Sequence, residues 1–310
     1  MNKIEAGKYF AFFLASPPLL SAICFAILGE LCNFAGMKFR TVVDVEKPGV
    51  LIEPMEPMLF VGSCFADSIG HRFEEERFPV TVNPFGVMYN PASVLHTIER
   101  CEMAPRLTFI TLGTNHVYRL KETGEIVDNC QKRPQRLFTE EQLSAEQCTD
   151  FLAQAVDILR ERRAEAHVIV TVSPIRYAKY GFHGSQLSKA TLLLAANALA
   201  ERCPDCVSYF PAYEIVLDEL RDYRFYQPDM LHPSAQAVEY IWERFSEVYF
   251  SPRAKQFISE WQPIKQALAH RPFNPDSAEY RQFIAETRRK EQELISQFTI
   301  HNSQLTIHNS

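Results

Sequence analysis

Four short apolar runs divide the chain: "MLFVG" (58–62), "RLTFITLG" (106–113), "HVIVTVS" (167–173) and "VSYFP" (207–211). Each stops at Gly, Ser or Pro, and none alternates with polar residues. Such runs read as parallel strands buried on both faces. Helical patterns fill the gaps at 63–77, 91–102, 139–163 and 185–201. The third opens "TEEQLSAEQ", which places Thr139 at a capping position. A further helix is expected at 234–249, after Pro233 and with Ser234 as its cap, and a strongly charged one at 275–296. Strand–helix alternation predicts an α/β protein built on a doubly wound parallel sheet. Ligands bind at the carboxyl ends of the strands in such sheets, so the residues just after each run are the ones to inspect.

The two ends break this pattern. Residues 9–29 carry no charge and follow Lys3 and Lys8. They fit a signal peptide or signal anchor, interrupted by Pro17-Pro18. Met37 opens "MKFRTVVDVEKPG", a plausible chain start that would make residues 1–36 upstream translation. A start at Met37 implies a cytoplasmic protein, and a genuine 9–29 segment implies a membrane-anchored or exported one. Residues 296–310, "SQFTIHNSQLTIHNS", nearly repeat seven residues; two copies are too few for a solenoid. The expected division is an apolar extension (1–36), a catalytic domain (37–260), a helical extension (261–296) and a disordered tail (297–310).

Composition narrows the classes. A net charge of −6 gives no basic face for nucleic acid. The 8 cysteines are widely spaced in a chain too large to need disulfide staples, as in reduced proteins. Cys203-Pro-Asp-Cys206 is a lone C-x-x-C without a second ligand pair, so no metal site is expected. No phosphate-binding loop or dinucleotide fingerprint occurs, and no cofactor is expected.

The strand ends hold a set of residues suited to nucleophilic catalysis. The first run leads into Gly62-Ser63-Cys64, and the second into Gly113-Thr114-Asn115-His116. Between them "NPFGVMYNP" carries Gly86 and Asn90, and "RFYQPDMLHPSA" places Asp229 three residues before His232. Histidine is the side chain able to deprotonate a hydroxyl or thiol at neutral pH, and a carboxylate one short turn away fixes its tautomer. This ordered set resembles the SGNH hydrolase superfamily, and "GSCFA" (62–66) resembles the GSCFA family within it, over about residues 37–260. The resemblance implies a flavodoxin-like, three-layer α/β/α sheet of the SGNH hydrolase type with an extra C-terminal helix. It implies an esterase-type hydrolase or acyltransferase working through a covalent acyl-enzyme. Asp229 and His232 would form the base pair. Oxyanion donors would be a backbone N–H at the nucleophile, the N–H of Gly86 and the side-chain amide of Asn115.

Both Ser63 and Cys64 are candidate nucleophiles. In the superfamily block Gly-Asp-Ser the nucleophile stands two residues after Gly, and that register selects Cys64. Ser63 alternatively reads as a helix N-cap. Asn90, His116, Asn129, Lys132, Arg176 and His183 are expected to line the substrate crevice, Arg176 because its planar fork pairs with anions. The expected partner is a small-molecule or carbohydrate acyl ester, with O-acetylated carbohydrate implied by the superfamily. A fold-retaining but inactive glycan- or peptide-binding module is the alternative.

Overall fold

A computed structural model describes residues 40–128 and 133–308, with side chains to Thr299. Its strands, in chain order, are β1 Met58–Gly62, β2 Val80–Val82, β3 Leu107–Leu112, β4 His116–Leu120, β5 Ile126–Val127, β6 Phe138–Gln142, β7 His167–Val172 and β8 Val207–Tyr209. The principal helices are α1 Cys64–Glu75, α2 Pro91–Arg100, α3 Ala145–Arg162, α4 Gly181–Arg202, α5 Ala235–Tyr249, α6 Pro252–Ala269 and α7 Ala278–His308. Five strands pair in parallel in the order β2-β1-β3-β7-β8. Counting the parallel strands alone, that is the 2-1-3-4-5 order of flavodoxin-like sheets.

The apolar runs explain the layering. Successive strand residues point to opposite faces, and both faces are covered. Leu59, Val61, Ile110, Leu112, Val168 and Val170 pack with Leu95 of α2, Leu152 and Val156 of α3, and Leu192 of α4. Met58, Phe60, Phe109 and Ile169 pack with Ile69 and Phe73 of α1 and with Ile241, Trp242 and Phe245 of α5. The doubly wound three-layer fold is therefore present as expected.

Three features depart from the expectations. The helix placed at 139–163 begins only at Ala145, and Phe138–Gln142 is strand β6, antiparallel to β4. Thr139-Glu-Glu-Gln142 and Ser144-Ala-Glu-Gln147 both carry capping-box spacing, and only the second closes the reciprocal bonds. The first is drawn into the small sheet β5-β4-β6, where β4 supplies its ladder. Helix α6 starts ahead of the helical extension expected at 261–296, with Ser251 as its cap and Pro252 in its first turn. It runs across the boundary expected at residue 260. The segment from 297 on, expected to be disordered, continues α7 to His308, with Phe298 buried against Phe257. Residues 1–36 lie outside the described residues. Among the described residues, no helix is long and apolar enough to cross a membrane.

Candidate active site

Strand β1 turns into α1 at Gly62, whose φ is +143°. A Cβ there would collide with the Thr111 carbonyl and hydroxyl on neighbouring β3, so a side chain is excluded on two counts. The Gly62 N–H donates to Asn83 Oδ1 (2.8 Å), and its carbonyl accepts from Met88 N–H (2.8 Å). The turn and the loop after β2 thus brace each other.

Ser63 and Cys64 occupy different environments on this turn. Ser63 is fully buried and caps α1, its Oγ accepting from the Phe65 N–H (3.2 Å) and sharing a hydrogen bond with Thr111 Oγ1 (3.0 Å). Its N–H is held by Thr111, and its carbonyl accepts from Ala66 (2.7 Å). Cys64, the first helical residue, is partly exposed. Its Sγ lies 3.6 Å from the Tyr89 hydroxyl. With the amides of Ser63, Phe65 and Ala66 engaged, the Cys64 N–H has no partner among the described residues and stands at the positive end of the helix dipole.

The second cluster lies on residues 226–234. Asp229 Oδ1 accepts from the N–H groups of Leu231 (2.8 Å) and His232 (3.1 Å), while Oδ2 bonds His232 Nδ1 at 2.6 Å. The two backbone donors, with the imidazole, hold the Asp229 carboxyl down at about 2, so it stays ionised. Gln227 N–H reaches back to the His232 carbonyl (2.8 Å), and Met230 takes φ +59°. Nδ1 is occupied by Asp229, which leaves Nε2 as the ring atom able to take up a proton. Among the described residues the thiol's hydrogen-bond partner is Tyr89, and it makes no bond to His232.

The other expected site residues separate by environment. Arg176 braces the loop that carries Asp229 and His232: its N–H donates to the Leu231 carbonyl (3.0 Å) and its guanidinium to the Met230 carbonyl (3.1 Å). The guanidinium also stacks on Phe182 at 4.1 Å and faces Tyr226 at 5.5 Å. Asn90 is buried as the N-cap of α2, accepting from Ser93 N–H (2.9 Å). Asn115 is buried too, and its amide donates to the Leu143 carbonyl (2.7 Å). The Gly86 N–H closes a turn on the Asn83 carbonyl (2.8 Å). The Gly86 N–H is therefore engaged, and Asn115 turns one of its two amide N–H groups into the fold. His116 is buried, stacked on Tyr180 at 3.6 Å, and desolvation lowers its pKa. His183 is exposed on the first turn of α4. Asn129 and Lys132 lie outside the described residues.

Two features escaped the motif reading. Tyr89 sits between the flagged Gly86 and Asn90. Its carbonyl accepts from Gly113 (2.9 Å) and Thr114 (2.8 Å), and its ring meets Tyr177 edge-on. Lys189 is buried behind the strand ends, its Nζ donating to the carbonyls of Gly113 and Ser173 at 2.7 Å each. Burial pushes its pKa down to about 7. Lys189 follows a helical pattern without a motif, and only its inward face on α4 marks it.

The strand order and the Gly62 turn ahead of Cys64 define a doubly wound α/β protein with a flavodoxin-like sheet. The GSCFA family model matches residues 57–105 and 103–245, and the model described as "GSCFA domain protein, C-terminal domain" matches 261–305. The chain belongs to the GSCFA family. No functionally curated protein matches it. Among solved structures, it is similar to a GDSL-like lipase from Bacteroides thetaiotaomicron VPI-5482 at 15% identity and TM-score 0.41, covering 67% of this chain and 92% of that one. It is also similar to a mutant of Axe2, an acetyl-xylooligosaccharide esterase from Geobacillus, at 12% identity and TM-score 0.44, covering 65% and 97%. A carbohydrate esterase family 3 protein from Talaromyces cellulolyticus shares 11% identity at TM-score 0.38, covering 66% and 99%.

Proposed function

We propose that this protein transfers an acyl group from an ester through a covalent thioester on Cys64, with the Asp229–His232 pair as base. The observation that carries the reading is the contrast at the elbow. The Ser63 hydroxyl is buried and committed to capping α1, whereas the Cys64 thiol is partly exposed at the helix N-terminus. His232 Nε2 takes the thiol proton while sulfur bonds the ester carbon, and the carbonyl pair moves onto oxygen. Collapse of that intermediate breaks the C–O bond, and His232 returns the proton to the leaving alcohol. Water or a second hydroxyl then attacks the thioester with His232 again as base, which gives hydrolysis or transfer. Asp229 keeps the imidazole oriented and stabilises its charged form. The substrate class is an ester-linked acyl group, with O-acetylated carbohydrate as the first candidate.

The test is turnover of an activated acetyl ester by the wild type and three variants. Cys64→Ala and His232→Ala are expected to lose activity, while Ser63→Ala retains it with reduced stability. Unchanged turnover in His232→Ala contradicts the proposal. Saturable glycan binding with no turnover in the wild type assigns the protein instead to the binding-module alternative.

A further inference from the structure

An acyl-transfer site needs donors aimed at the oxygen that becomes negative in the tetrahedral intermediate. Two donors that the sequence pattern offers are turned at least partly into the fold. The Gly86 N–H closes a turn on Asn83, and the Asn115 amide is buried against the Leu143 carbonyl. Of the expected set, the Cys64 N–H stands at the nucleophile itself, on the first residue of α1. A side chain of a different kind stands beside the sulfur: the Tyr89 hydroxyl, 3.6 Å from Sγ.

We propose that the Tyr89 hydroxyl is an oxyanion donor, acting with the Cys64 N–H, so that a tyrosine takes the place of the committed Gly86 N–H in this protein. The inference rests on the Cys64 acyl-transfer reading and deepens it. The developing oxyanion sits on the carbon that sulfur attacks, one bond beyond Sγ. A donor about 3 Å from that oxygen therefore lies close to the sulfur as well, as Tyr89 does. The hydroxyl is also well seated. The Tyr89 carbonyl is clamped to β3 through the N–H groups of Gly113 and Thr114, and its ring rests edge-on against Tyr177 with centroids 6.0 Å apart. Gly113 makes this seat possible, because a Cβ there would strike the Tyr177 hydroxyl. Desolvation, followed by the contact with Cys64, pushes the Tyr89 hydroxyl up to about 12. It keeps its proton at neutral pH and can only donate to a nearby anion.

Tyr89→Phe keeps the ring and the carbonyl clamp and removes one donor. Activated acetyl ester hydrolysis is measured for the wild type, Tyr89→Phe and Cys64→Ala, with thermal melting as a control for folding. An acetyl-mimicking trifluoromethyl ketone serves as the second probe. The thiol adds across its carbonyl, forming the S–C bond and moving the carbonyl pair to oxygen, while the thiol proton goes to His232. The expected result for Tyr89→Phe is a fall in kcat of about 100-fold or more, with KM within about twofold because ground-state contacts persist. Affinity for the ketone is expected to fall by a similar factor. Wild-type kcat in Tyr89→Phe overturns the donor role alone, as does a lowered kcat with undiminished ketone affinity. Activity surviving in Cys64→Ala overturns the acyl-transfer reading itself, and this inference with it.

Discussion

Ser63 and Cys64 are adjacent, yet one hydroxyl is closed into the fold and one thiol is partly exposed. The difference follows from helix geometry: the N-cap side chain turns back onto the amides of the first turn, while the next side chain points outward. Ser63→Ala is expected to lower stability by about 1 kcal/mol, read as a shift in denaturant midpoint, without abolishing turnover. Asp229→Asn can still accept from Leu231 and His232 N–H through its carbonyl oxygen. Its amide nitrogen cannot accept from the imidazole, so the tautomer is lost and kcat is expected to fall at least about 100-fold. Because the carboxyl is held near 2, any acid limb of the activity profile above pH 4 must come from groups other than Asp229. The Gly62 turn and the Asp229–His232 pairing were legible in the sequence because both are local. The engagement of Gly86 and Asn115 was not, since it depends on where the Asn83 and Leu143 carbonyls arrive in three dimensions.

At the scale of elements, the parallel strands were legible because burial on both faces leaves a continuous apolar run. Strand β6 was not, because "FTEEQ" is polar and takes its identity from pairing with β4; tertiary context outweighs local propensity there. The β1–α1 turn has little freedom. Gly62→Ala is expected to yield insoluble or strongly destabilised protein, since the new Cβ meets β3 backbone and φ stays positive. Lys189 ties the ends of β3 and β7 from within α4. Its pKa is depressed from 10.5 to about 7 in the folded protein, so the unfolded chain binds more protons between those values. Stability is therefore expected to rise with pH from about 7 toward 10, by at most about 1.4 kcal/mol per pH unit from this group. Lys189→Met should remove that slope between pH 7 and 9. An identical slope in the variant contradicts the assignment.

Across the whole molecule, two apolar cores lie on opposite faces of one sheet, and the second extends into the C-terminal helices. Trp261 of α6 is buried and its indole N–H donates to the Glu75 carbonyl at the end of α1 (3.0 Å). Fully buried Glu76 joins Arg72 to Lys265, and Arg77 pairs with Glu291 of α7. The helices beyond residue 250 thus hold the far end of the helix that presents Cys64. Trp261→Ala is expected to cost about 3–5 kcal/mol, seen as a lowered midpoint of chemical unfolding. The charged pattern of α7 was legible as a helix. Its seat on α6 was not, because the apolar positions that anchor it, Leu294 and Phe298, are few among many charges.

The central claim is a thioester on Cys64, and intact mass measurement with peptide mapping after brief exposure to an activated acetyl ester tests it directly. One acetyl group is expected on the peptide containing residues 63 and 64, retained in Ser63→Ala, absent in Cys64→Ala, and removed by hydroxylamine at neutral pH as a thioester should be. An adduct that persists in Cys64→Ala and disappears in Ser63→Ala would contradict the account.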